Sequence, residues 1–109
     1  MSEPFLPDVQ AVYWVDGTIL PAGEPEPQRA VVVVATPPTT TGTVTVVSRS
    51  ATDPFGVEHA ADAGLGLSTR GRFSRRHPVQ AQLWTPATAT PAGVLDQATF
   101  AAIVARFVG

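Results

Sequence analysis

Residues 29–50, RAVVVVATPPTTTGTVTVVSRS, decide the fold. The run over residues 30–36 holds four consecutive valines, Val31 to Val34. Branching at Cβ stiffens these side chains and suits them to a pleated surface, so the run predicts a central strand buried on both faces. Pro37, Pro38 and Gly42 turn the chain. Residues 43–50 alternate, with Val44 and Val46 on one face and Thr45 and Val47 on the other. A linker as short as residues 37–42 makes the two strands antiparallel, because a parallel return needs a crossover of about a dozen residues or more. A hairpin centred between residues 39 and 40 then sets Arg29 opposite Ser50.

Outward from this hairpin the elements are shorter. Residues 11–15 (AVYWV) form a first strand ended by Asp16-Gly17. Pro21, Gly23, Pro25 and Pro27 make residues 16–29 a stiff, extended loop. After the Asp53-Pro54 turn, residues 55–59 read as a further strand. Residues 64–68, Phe73 and residues 79–84 read as short strands interrupted by residues 70–77, and residues 85–93 as loop. The last element is a helix: Asp96 is a good N-cap, and Phe100, Ile103, Val104 and Phe107 repeat at i, i+3, i+4, i+7. Leu95 is positioned to staple onto Phe100. Such a stripe needs an apolar partner, and the sheet is the only candidate. The expected fold is one compact, mainly β domain over residues 1–109, closed by one C-terminal α-helix.

Composition agrees with one globular domain: 109 residues, 44% hydrophobic and 15% charged. The absence of cysteine excludes a disulfide scaffold and any thiolate metal site, and is compatible with a reducing cytosol. The opening MSEPFLPDVQ has neither a basic n-region nor an apolar h-region, and no apolar run is long enough to span a bilayer. The expectation is a cytoplasmic protein with no membrane partner. Five of the nine acids lie in residues 1–28, which hold no basic residue; from Arg29 onward seven arginines face four acids. Lysine is absent. An all-arginine set suits planar, bidentate contacts to phosphate or carboxylate, although a GC-rich coding bias produces the same composition.

No Walker loop, dinucleotide fingerprint or zinc spacing is present. Gly64-x-Gly66 reads as a bend or bulge. A Ser-His-Asp set can be assembled on paper from Ser48 or Ser50, His59 or His77, and Asp53 or Asp62, but no nucleophile elbow surrounds either serine. Asp53, Glu58, His59 and Asp62 sit in a polar turn and read as a solvated loop, so neither metal nor cofactor is expected. Residues 70–77 (RGRFSRRH) carry more chemistry. Arg70, Arg72, Phe73, Arg75, Arg76 and His77 combine phosphate-neutralising charge with a stacking surface, as single-stranded nucleic acid requires. The same residues also fit an exposed hairpin whose arginines are only solvated. If they bind backbone, neutralising Arg75 and Arg76 weakens RNA affinity and flattens its salt dependence. Arg29 and Ser50 are the second candidate. A guanidinium meeting a hydroxyl at one sheet end is able to stabilise a phosphorane-like transition state without metal. The plain alternative is an Arg29 that faces solvent beside Glu26 and a Ser50 that caps a turn.

The order Tyr13-Trp14-Val15-Asp16, Gln28-Arg29-Ala30 before the valine run, a strand ending at Ser50 and the pair Pro54-Phe55 resembles the MazF/PemK ribonuclease toxins. The Gly93–Asp96 stretch (GVLD) before an apolar-striped helix is similar too. The resemblance runs through nearly the whole chain. The chain has Gln10-Ala11 where the family has Gly-Asp, Ala30 where it has proline, and Ser50 where threonine is commoner. The resemblance implies a small SH3-like barrel that forms a homodimer and cleaves single-stranded RNA without metal, with an antitoxin protein as partner. It implies that Arg29 and Ser50 are the catalytic pair. The alternatives on the same barrel are a CcdB-like gyrase poison and a binding module with a degenerate site.

Overall fold

The computed structural model describes residues 3–20 and 27–108. Residues 21–26, the centre of the loop expected between the first two strands, lie outside the described residues. The strands are β1 (Ala11–Asp16), β2 (Gln28–Ala35), β3 (Thr43–Ser50), β4 (Val57–His59), β5 (Gly71–Gln80) and β6 (Ala89–Val94), followed by the helix α1 (Gln97–Phe107). They form one antiparallel sheet in the order β4-β5-β3-β2-β1-β6, curled into a half-barrel. The central hairpin is β2 and β3. Val31 pairs with Ser48, Val32 with Val47 and Val33 with Val46, the register that a hairpin centred between residues 39 and 40 requires.

The valine run is buried on both faces because the curl leaves it at the middle of two cores. Val31 and Val33 join Tyr13, Val44, Val46 and Trp84 on one side, hereafter the tryptophan face. Ala30, Val32 and Val34 join Val47, Phe73, Leu95 and Ile103 on the other, the helix face. Burying one such side chain stabilises by about 1.5–3 kcal/mol, which makes this strand the thermodynamic centre of the domain. Helix α1 lies on the second core through Ile103, with Phe100 and Phe107 partly buried beside it. Asp96 caps it as expected, its Oδ2 accepting from the Thr99 amide at 2.9 Å and from Thr99 Oγ1 at 2.7 Å. No helix among the described residues is long and apolar enough to cross a membrane.

Three local expectations change. Residues 70–77 do not interrupt two strands; residues 71–80 form one continuous strand paired along β3. A one-residue bulge at Ser74 accommodates the polar stretch, since Ser48 faces Arg75 while Arg49 faces Phe73. β4 covers only the first part of β5, up to Phe73. The remainder is a sheet edge, where Arg, His and Pro side chains are tolerated and discourage edge-to-edge pairing. Residues 89–94, expected as loop, form β6 against β1, with its own irregularity next to Pro91. Two segments expected as strand are partly 3-10 turns: Ala63–Leu65, overlapping the start of residues 64–68 and ending at Gly66 with φ of 73°, and Ala81–Leu83 within residues 79–84.

Candidate functional site

Strand alternation brings the polar side chains of three strands to one end of the tryptophan face. The β2–β3 ladder ends at Val31 and Ser48; continued by two residues, its register would set Arg29 opposite Ser50. Both fall on the side of Val31, Val33, Val44 and Val46. The guanidinium of Arg29 crosses to β3, donating from Nη1 to the carbonyl of Arg49 at 3.3 Å. Ser50 Oγ accepts from the amides of Thr52 and Asp53, each at 3.2 Å, and touches Thr52 Oγ1 at 3.4 Å. With both lone pairs occupied by amides, Ser50 is left to donate, and its hydroxyl hydrogen faces Thr52 Oγ1. Ser50 therefore does cap a turn, as the plainer expectation had it, and still carries a donor.

Beside this pair stand Ser48, Arg72, Arg75 and His77. Ser48 is buried, with its Oγ 3.1 Å from His77 Nε2 and 3.4 Å from the carbonyl of Arg75. Arg75 pairs with Ser48 across the ladder, His77 with Val46 and Arg72 with Ser50, so all three point to the same face as Arg29. Arg72 Nη2 holds Glu58 at 2.8 Å. Arg75 Nε lies 4.0 Å from Asp53. The Asp53 carboxyl sits below its ordinary pKa of 3.8, chiefly because it accepts from the Phe55 amide, with Ser74 and the charges of Arg75 and Arg72 adding to the effect.

The basic segment is thus divided by the pleat. Phe73 cannot be the stacking surface proposed from sequence: its ring has no exposure and belongs to the helix-face core. Arg76 points to the helix face and donates to the carbonyl of Phe107 at 2.8 Å, which caps the end of α1. Arg70 is exposed just ahead of β5. Only Arg72, Arg75 and His77 of the six share the face of Arg29 and Ser50.

One group went unrecognised in the sequence. Arg49 is 6% exposed and His59 6%. Arg49 donates from Nε to His59 Nδ1 at 3.0 Å, and from Nη2 to the carbonyls of His59 (3.1 Å), Ala60 (3.3 Å) and Thr69 (2.6 Å). This fixes the neutral His59 tautomer with hydrogen on Nε2, toward Asp62 Oδ2 at 3.8 Å. Burial lowers the pKa of His59 below 6.5, the Arg49 charge lowers it further, and Asp62 and Asp96 oppose both. The signal available in the sequence was the position of Arg49, on the inward face of an alternating strand. His59, which meets Asp62, is separated by the sheet from Ser48, which meets His77, so the paper triad does not assemble from them. Among the described residues no three His, Asp or Glu side chains converge as metal ligands would.

At the same sheet end a cleft of about 190 Å³ opens between Trp14, Arg29, Arg49 and Thr69. Trp14 forms its wall, held by a bond from Nε1 to the carbonyl of Leu65 at 3.2 Å. The arrangement as a whole supplies a guanidinium, a donor hydroxyl, an imidazole and two further arginines around one solvent-open sheet end, a set suited to a phosphodiester. Comparison of the chain with protein-family models and with curated proteins finds no match.

Proposed function

We propose that this protein is an endoribonuclease of the toxin–antitoxin type, cleaving single-stranded RNA without metal at the Arg29–Ser50 end of the sheet. The observation that carries the proposal is the strand register: continued beyond Val31 and Ser48 it would set Arg29 opposite Ser50, and Ser50 pairs with Arg72 while Arg75 and His77 point to the same face. Gln10 adds support from the fold. It stands where the MazF/PemK pattern has glycine, and it holds φ of 78°, the left-handed conformation that glycine adopts most easily. In the reaction the RNA 2′-oxygen attacks the adjacent phosphorus as its proton is removed, and the P–O5′ bond breaks. The products are a 2′,3′-cyclic phosphate and a 5′-hydroxyl that takes up a proton. Arg29 stabilises the charge on the pentacoordinate phosphate and Ser50 donates a hydrogen bond to a non-bridging oxygen. The partners on this reading are single-stranded RNA, an antitoxin with an acidic segment and a second copy of the chain.

Incubation of the purified protein with a long single-stranded RNA in EDTA tests the proposal. Cleavage products ending in cyclic phosphate are expected, with Arg29→Ala lowering the rate by roughly 100-fold or more, as loss of one preorganised charge at a transition state does. Intact RNA at high protein concentration sinks the enzymatic reading. Binding without cleavage would instead identify a non-catalytic module on the same barrel.

A further inference from the structure

We infer that Phe55 is a stacking platform for an unpaired base of the RNA, beside the phosphate-binding arginines Arg72 and Arg75; the inference rests on the RNA reading of the Arg29–Ser50 face. Phe55 is 71% exposed, the only aromatic side chain among the described residues that faces solvent to this extent. A lone exposed hydrophobic side chain is ordinary on a protein surface. What sets this one apart is how its backbone is held.

Several polar ties of residues 52–56 lead back to the candidate site. Ser50 Oγ accepts from the amides of Thr52 and Asp53. The Phe55 amide donates to Asp53 Oδ1 at 3.0 Å, and the other oxygen of that carboxylate faces Arg75. One residue further on, Arg72 Nη1 donates to the carbonyl of Gly56 at 3.4 Å. Gly56 has φ of 119°, and a Cβ there would run into the carbonyl oxygen of Phe73, so the loop lies directly against β5. The backbone that carries the ring is therefore tied to Arg72 directly and to Arg75 through Asp53 instead of swinging on a free loop, so little backbone entropy is lost when a ligand settles there.

Single-stranded RNA is the ligand that needs this combination. Its phosphates seek guanidinium groups and its unstacked bases seek aromatic faces at short spacing along one strand. A protein partner is the weaker fit, because one projecting ring is far short of the roughly 1,000 Å² that a specific protein interface buries. The sequence placed the stacking role on Phe73; burial removes that ring, and Phe55 is the aromatic that remains on the correct surface.

Binding of a fluorescent 2′-O-methyl RNA oligonucleotide, which lacks the attacking hydroxyl, separates stacking from catalysis. Phe55→Ala is expected to weaken binding by about 10-fold, in line with the loss of one base–aromatic stack, while Phe55→Trp retains affinity. The Phe55→Trp protein should also lose tryptophan emission on binding, beyond any change in the parent protein, whose Trp14 and Trp84 supply the background. On a duplex of the same sequence, whose bases are paired, the Phe55→Ala effect should vanish. Equal affinity of Phe55→Ala and parent for the single strand overturns the stacking role and leaves the RNA reading intact, as does an equal loss on duplex. Failure of the parent protein itself to bind the oligonucleotide overturns both.

Discussion

Arg49 shows how one side chain organises the candidate site from beneath. Its Nη2 gathers the carbonyls of His59, Ala60 and Thr69, and its own carbonyl receives Arg29, so the backbone that positions Arg29 and the loop beyond β4 share one anchor. Replacing it with methionine fills similar volume but strands the buried carbonyl of His59 and the part-buried carbonyls of Ala60 and Thr69. At about 1–3 kcal/mol per unsatisfied group, partly relieved by relaxation, Arg49→Met is expected to destabilise by about 3 kcal/mol in urea titration. His59 makes this anchor pH-sensitive. Its folded pKa lies below the 6.5 of the unfolded chain, so the unfolded state takes up the proton first. The contribution is complete above pH 6.5 and is lost as pH falls through the folded pKa, because protonated Nδ1 would face the Arg49 donor. His59→Gln, which keeps an acceptor for Arg49 without titrating, should flatten the decline of the urea midpoint as pH falls below 6.5. Asp16, Asp53 and Asp96, all lowered from 3.8, lose their stabilising contributions only at more acid pH, so the two windows separate.

At the scale of elements, the central hairpin and the helix carry their instructions locally. The β-branched run, the proline turn and the alternation over residues 43–50 led directly to the observed register. The capping residue and the i, i+3, i+4, i+7 stripe led to α1. Asp96→Ala removes both bonds to Thr99 and is expected to lower stability by about 1 kcal/mol, seen as a reduced urea midpoint with an unchanged slope. β5 and β6 were misjudged for a shared reason. Each contains residues that propensity assigns to loops, four positions of Arg, Arg, His and Pro in one and Pro and Gly in the other, yet each runs along a sheet edge for part of its length. An edge strand needs only one partner, and a bulge absorbs the residue that does not fit.

For the molecule as a whole, the charge that the sequence concentrates in residues 70–77 is dealt alternately to two faces. The expectation that Arg75 and Arg76 act together does not survive this geometry. Arg75→Gln should weaken binding of single-stranded RNA and reduce the logarithmic salt slope by about 1, whereas Arg76→Gln, whose side chain ties down the end of α1, should leave the slope unchanged. Equal slopes for the two variants would count against the tryptophan face as the RNA surface. Measured as anisotropy over a salt series, the comparison requires no cleavage.

The sequence by itself determined the mainly β class, the central hairpin with its register and the capped C-terminal helix. These follow from periodicity and short-range spacing, which the backbone converts into position without reference to distant residues. Only the tertiary structure decided that Phe73 is core and Phe55 is surface, that Arg72, Arg75 and His77 part company from Arg76, and that Arg49 is buried on His59. Those outcomes depend on which face each strand turns inward and on where a single bulge shifts the alternation. Both are settled by packing against partners 10 or more residues away in the chain, as Arg49 with His59 and Ser48 with Arg75 illustrate.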